Sequence, residues 1–358
     1  MNVKDENKLK TPNKIILFLI LVFVIIAILL VYLSMDKNNN SYESTDMAMG
    51  TYVNQTVYGA NAEETAKNAM NKINETERLL SWRIEDSDIA KINRAGGKDW
   101  VDVDKKTIEV LQKSVEVSQK SFGAFDLTIL PISSLWDFDS GKNVVPSSEE
   151  INQRLTYVNY KNVKLNADVN RAKTLKEGCS IDLGAVAKGV ACDNALEVYR
   201  KENTTCGIIA VGGSIGVYGT KPNRADWRIA IRDPYKQEQD SSGFAILEID
   251  KGCVSTSGIY ERHFNQDGVE YHHILDPKTG YPADNELLSV TIWHDSGIMT
   301  DILATACSVL GLENSSYILD YYDAGAVFVD KDKNVYVNSK LKDKIILTNE
   351  EYTVCDYE

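Results

Sequence analysis

The chain has 358 residues, with 39 Lys plus Arg against 52 Asp plus Glu and a formal charge of −13. Apolar residues make up 43% and charged residues 25%, a folded rather than a disordered composition, and the length admits one large domain or two lobes. The acidic balance argues against nucleic acid as the main partner, because phosphate neutralisation needs clustered cations.

The first expected element is a membrane anchor. Ile15 to Leu33 runs for 19 residues without charge, amide or Pro. About 20 apolar residues at 1.5 Å rise cross a hydrocarbon layer of roughly 30 Å. Lys4, Lys8, Lys10 and Lys14 precede the run, so the N-terminus is expected in the cytoplasm and the remainder outside it. A cleaved signal peptide is the alternative. It wants a shorter apolar core and a small-x-small site, whereas Ser34 to Asn40 offers no Ala-x-Ala and no Cys for a lipid. Asp36 to Thr45 is polar and Asn/Ser-rich, the composition of a tether. The expected organisation is 1–14 cytoplasmic, 15–35 anchor, 36–45 linker and 46–358 an extracytoplasmic domain.

Further along, Thr51 to Tyr58 reads as a strand and Asn61 to Leu80 as an amphipathic helix. A short helix follows over Ser87 to Asn93, capped by Ser87, and a long one over Lys105 to Ser121. Phe122 to Asp126 is turn-rich and leads into an expected loop through Trp136. Cys179 to Leu183 is strand-like and passes through Gly184 into a helix bearing Ala187, Val190, Ala191, Ala195 and Leu196. Gly207 to Thr220 is apolar and Gly-rich. Strands are expected at Trp227 to Arg232, Phe244 to Ile249, Gly252 to Ser257, His272 to Leu275 and Leu287 to His294. Ser296 to Leu310 is helical, and the tail alternates short strands with a turn over Asp330 to Asn334. Strands and helices mix without a βαβ period, which favours an α+β domain. The six Cys form no C-x-x-C pair, and several lie in apolar runs, so buried free thiols are favoured although export permits disulfides.

There is no P-loop and no H-E-x-x-H, and the four His are too scattered for a zinc site. Gly212-Gly-Ser-Ile-Gly216 matches the nucleophile-elbow string, but its surroundings read as strand, so a Gly-rich turn is the better reading. Four stretches carry candidate chemistry. Gly123-Ala-Phe-Asp126 allows close approach of a ligand, or is an ordinary turn with Phe125 in the core. Asp182 to Gly189 puts an acid and Lys188 around a helix start, where free amides suit an anion such as pyrophosphate; an N-cap and a solvated lysine is the plainer alternative. His272-His273 precedes Asp276 and a Pro-x-Thr-Gly turn, a place for a base or for a structural His. Asp301 and Thr305 are four residues apart on one helix face, hard-oxygen ligation that suits Mg²⁺, or a helix acid and a buried hydroxyl.

In this order the blocks resemble the FAD:protein FMN transferases, the ApbE family. The matching stretches are Met49-Gly-Thr-Tyr-Val, Leu80-Ser-Trp82-Arg83, Asp86-Ser-Asp-Ile, Gly123-Ala-Phe-Asp126 and Ile181 to Gly189. Val211-Gly-Gly-Ser-Ile, Trp227 to Ile231, Thr256-Ser-Gly258, His273 to Gly280 and Met299 to Thr305 follow. The resemblance implies a T-fold-like, mixed-sheet α+β domain, here preceded by one transmembrane helix. It implies FAD as substrate, Mg²⁺-dependent cleavage of its pyrophosphate, and transfer of FMN to a Thr hydroxyl of an acceptor flavoprotein with release of AMP.

Position by position, the resemblance puts Met49, Trp82, Ala124, Phe125, Asp126, Asp182, Lys188 and Ile274 along FAD. Trp82 stands where the family often has Tyr, a change that stacking tolerates. The implied metal ligands are the Ala185 carbonyl and the Asp301 and Thr305 side chains, and Ala304 stands where some relatives carry a second acid. His273 is the implied base and Asp301 the implied holder of the catalytic charge. The family's acceptor motif resembles Asp-Gly-x-Thr. Asp267-Gly-Val-Glu270 lacks the Thr, so the chain is expected to modify other proteins. Two alternatives stay open: an FAD pyrophosphatase with water as acceptor, and an exported flavin-binding protein without turnover.

Overall fold

The computed structural model describes residues 18–20, 22–26, 40–236 and 243–357. One large sheet forms the middle of the domain. Its strands are β1 (Ser41–Ala48), β2 (Thr51–Tyr58), β3 (Cys206–Val211), β4 (Ser214–Tyr218), β5 (Gly252–Gly258), β6 (Leu287–His294), β7 (Gly325–Asp330), β8 (Asn334–Val337) and β9 (Thr353–Asp356). They lie side by side in chain order. Every neighbouring pair is antiparallel except β8 and β9. The period-2 alternation divides the faces: Ala326 and Phe328 of β7 enter the helical core, while Val327 and Val329 enter the core behind the sheet.

The helices are α1 (Ala62–Leu80), α2 (Asp88–Ala95), α3 (Lys105–Lys120), α4 (Leu130–Trp136), α5 (Ser148–Leu155), α6 (Ala187–Lys201), α7 (Gly297–Leu310) and α8 (Ser316–Tyr321). Ala62, Ala66, Ala69 and Ile73 of α1 and Ala191, Ala195 and Leu196 of α6 pack on Val53, Val57, Ile209 and Val211. The opposite face is covered by a three-stranded sheet of Trp227–Arg232, Gly243–Ile249 and Ile345–Leu347, which brings Trp227, Ile229, Phe244 and Leu247 against it. The molecule is therefore an α+β domain of helices, large sheet and small sheet.

Two local devices set the geometry that matters for function. Gly189 and Gly297 let the first turns of α6 and α7 touch, since a Cβ on either would overlap the other's carbonyl. One turn along α6, Asp193 caps α7 from outside. It accepts from Gly297 N at 2.6 Å, Ile298 N at 3.0 Å and Ser296 Oγ at 2.9 Å. Burial raises its pKa, and these bonds act in the opposite sense.

Several expectations need correction. The expected tether 36–45 overlaps β1, because Ser41 to Thr45 pair with β2; this is an edge strand whose ladder is backbone-made and needs no apolar period. The expected loop before Trp136 contains α4, which opens with Pro131 near its N-terminus. Cys179 to Leu183 is not a sheet strand. Ser180 makes one bridge to Ile129, and the Asn93 side-chain amide takes the place of a partner strand at Ile181. The strand expected at His272 to Leu275 is Val269–His272, paired with His263–Gln266 and ending where His273 begins.

All six Cys are free, and only Cys355 is not buried. Burial lifts Cys179 to about 11 and Cys307 to about 12, so neither is a nucleophile near neutral pH. Of the apolar run expected as an anchor, residues 18–20 and 22–26 are described and helical; the rest lies outside the described residues. Among the described residues no helix is long and apolar enough to cross a membrane.

Candidate active site

The site gathers where the helix start of α6, the first turns of α7 and two hairpin turns meet. Met49 and Gly50 link β1 to β2 with φ of 55° and 70°, the geometry of a two-residue turn with both residues left-handed. The Gly212-Gly213 turn between β3 and β4 lies beside it, with Gly212 N donating to Tyr52 O at 3.1 Å. That turn delivers Ser214 to the helix side.

Asp301 is the centre. It is buried, yet both carboxylate oxygens are held: Gly189 N donates to Oδ2 at 2.7 Å and Ser214 Oγ to Oδ1 at 2.5 Å. Because Gly189 N–H turns to Asp301, the Ala185 carbonyl four residues back keeps no backbone donor among the described residues. Thr305, one turn after Asp301, is half-buried and its hydroxyl makes no hydrogen bond among the described residues. A carboxylate with spare lone pairs, a free carbonyl and a free hydroxyl are hard oxygens. This donor set fits Mg²⁺ completed by water or phosphate. Among the described residues there is no group of three or more His, Cys, Asp or Glu that could hold a metal ion.

His273 approaches from the hairpin that follows β5. Its backbone N–H donates to Arg262 O at 3.0 Å, and its Nδ1 is buried with no hydrogen-bond partner. Burial, then the charges of Arg262, His272 and Lys188, hold its pKa well below the ordinary value. The ring is therefore neutral at pH 7 and able to accept a proton. His272 is turned elsewhere: its Nε2 lies 3.2 Å from Ala283 O, and since a carbonyl only accepts, that nitrogen carries the hydrogen.

The residues that the resemblance puts along FAD divide in two. Met49, Trp82, Asp182 and Lys188 are half-buried and reach the surface. Ala124, Phe125, Asp126 and Ile274 are buried, at 2%, 3%, 6% and 5% exposure. Phe125 sits in the core with Leu127 and Ile181. Asp126 braces its loop by accepting from Thr128 N, Thr128 Oγ1 and Tyr160 N, and burial raises its pKa against those bonds. Asp182 accepts from Gly184 N and Ser133 Oγ and so shapes the approach to α6. The expectation of free amides at that helix start holds in part: Ala185 N and Lys188 N have no hydrogen-bond acceptor among the described residues, whereas three others are taken. Val186 N and Ala187 N close on Leu183 O, and Gly189 N is taken by Asp301. The positive charge available there is that of Lys188, whose Nζ lies 3.4 Å from Gly184 O.

Sequence reasoning missed Ser214 as the partner of Asp301; the only trace was the G-x-S-x-G string. It also gave no role to Glu261, whose carboxyl is raised by desolvation while Lys188 and Arg262 pull it down. At Trp82, the Arg83 guanidinium lies 4.1 Å from the ring centroid and is tied to Asp139, which also binds Arg262.

An α+β domain with one clamped carboxylate, a neutral His and a nearby Lys defines a class suited to phosphoryl-type transfer rather than thiol or serine chemistry. The ApbE family profile matches residues 49–328. An FAD:protein FMN transferase of Treponema pallidum (strain Nichols) is 30% identical over 322 residues, covering 85% of this chain and 88% of its own. Another, of Klebsiella pneumoniae (strain 342), is 31% identical over 321 residues, covering 89% and 99%. The solved ApbE protein of Thermotoga maritima superposes with a TM-score of 0.77 at 32% identity, over 85% of this chain and 98% of that one. The flavin transferase ApbE from Vibrio cholerae gives 0.76 at 25% identity, over 85% and 99%. This chain belongs to the ApbE family.

Proposed function

We propose that the chain is an FAD:protein FMN transferase that uses Mg²⁺ to pass FMN from FAD to a Thr hydroxyl of an acceptor flavoprotein, releasing AMP. The Thr oxygen forms a bond to the FMN phosphorus, the pyrophosphate bridge breaks, and AMP leaves with the bridging oxygen. The observation that carries the reading is the Asp301 carboxylate, held by two donors beside an unclaimed Ala185 carbonyl and Thr305 hydroxyl. Mg²⁺ bound there supplies positive charge to the pyrophosphate oxygens. Lys188 adds charge from the α6 start. His273, neutral and with an unpartnered nitrogen, takes the Thr proton. Trp82 offers an aromatic face to a ring of FAD once Arg83 moves aside. The test is mass spectrometry of a Thr-containing acceptor peptide after incubation with FAD and Mg²⁺, alongside AMP release. An FMN adduct matched by AMP is expected. AMP without adduct makes the pyrophosphatase the better reading, and neither product removes both enzymes.

The same proposal includes the membrane. The 19-residue apolar run and its preceding lysines support an N-in anchor with residues from Tyr42 onward outside the cytoplasm. The acceptor is then a membrane redox subunit or an extracellular flavoprotein. Protease added to intact protoplasts is expected to remove the domain; complete protection would end this assignment.

A further inference from the structure

Ser214 and Ser255 face each other in the register of β4 and β5, and each is 2% exposed. Both hydroxyls reach α7, onto consecutive residues. Ser214 Oγ donates to Asp301 Oδ1 at 2.5 Å, and Ser255 Oγ lies 2.7 Å from Thr300 Oγ1. Thr300 spends its one hydroxyl proton on Gly297 O at 2.7 Å, so Ser255 is the donor to Thr300. Two adjacent strands therefore fasten the first turns of one helix through a pair of serines. Only one of the two touches the carboxylate.

We propose that Ser214 is a positioning residue for Asp301, resting on the Mg²⁺ reading above. An ionised carboxylate has about four lone-pair sites. Ser214 takes one on Oδ1 and the Gly189 amide one on Oδ2, both at lengths typical of charge-assisted bonds. Gripped at both oxygens, the carboxylate cannot rotate, and one site on each oxygen is left for a cation. This also accounts for the G-x-S-x-G string. Ser214 opens a strand after a two-residue turn, not a strand–turn–helix elbow, and its proton is committed to Asp301. The Gly-Gly pair before it lets the turn sit against β2, where a Cβ at Gly212 would crowd Thr51.

Titration calorimetry of Mg²⁺ alone into the full-length protein tests this, with thermal melts in parallel. Ser214→Ala is expected to raise the Mg²⁺ dissociation constant about 10–100-fold, the usual cost of losing a partner that orients a ligand. Ser214→Cys, nearly isosteric with a weak S–H donor, is expected to weaken binding less, and serves if the alanine variant melts poorly. Ser255→Ala is the control of equal burial on the paired strand: a lower melting temperature with unchanged Mg²⁺ affinity. Wild-type affinity in both Ser214 variants overturns the inference. So does a loss in Ser255→Ala equal to that in Ser214→Ala, which would make helix packing the cause. A wild-type protein that takes no Mg²⁺ removes the metal reading itself, a different result from variants that bind normally.

Discussion

Asp301→Asn is expected to lower FMN transfer by roughly 10³-fold or more while the protein stays folded, since a bound metal is worth several kcal/mol of charge stabilisation. The two halves of that expectation come from the same two bonds. Asn keeps one oxygen, which satisfies the Gly189 N–H; that donor is fixed in the backbone and has no other choice. The new amide NH₂ then faces Ser214, whose hydroxyl can rotate and accept instead of donate. The fold thus loses only the charge-assisted part of two bonds, about 1–3 kcal/mol. The cation loses its one charged ligand among the residues assigned here. The measurement is adduct formation and AMP release across a Mg²⁺ series, with a melting curve. A variant that works normally at limiting Mg²⁺ would mean that Asp301 is only a helix acid.

What the sequence shows of this molecule follows how local the cause is. β2 over Thr51 to Tyr58 lies where the apolar alternation puts it, and α1 starts directly after Asn61. These elements bury a face, and burial leaves a period. β1 leaves no apolar period, because most of its side chains are polar and lie at a sheet edge, where the backbone ladder and a Thr45–Asn54 side-chain bond do the pairing. α4 is seven residues long, too short for its period to emerge. The site divides in the same way. Asp301 and Thr305 are visible as neighbours on one helix face. Their surroundings are not, since the two donors to Asp301 stand 87 and 112 residues away and are brought in by a hairpin turn and a glycine contact. Ala124, Phe125 and Asp126 show the reverse: a family motif readable in the chain whose side chains fold inward.

His273→Asn is expected to slow FMN transfer to a Thr peptide by about 10²–10⁴-fold, the usual worth of a general base. FAD binding should change little, because the ring is not among the groups assigned to the nucleotide. The pH profile separates a base from a structural histidine. Burial and the nearby charges of Arg262, His272 and Lys188 depress the His273 pKa, so the proton-accepting form persists below the ordinary histidine range. The wild-type rate should hold steady as pH falls through 6.5, the unshifted histidine value, and drop only further into acid; the Asn variant should lack that lower inflection. His272→Asn is the control. Its Nε2–H is spent on the Ala283 carbonyl, so its loss is a packing defect, visible in the melting temperature and small in the rate. A His272 variant slower than the His273 variant would put the base one residue earlier, on the other side of the chain. If neither change slows transfer, no histidine serves the acceptor hydroxyl, and attack by water, which depends far less on a positioned base, becomes the reaction to measure.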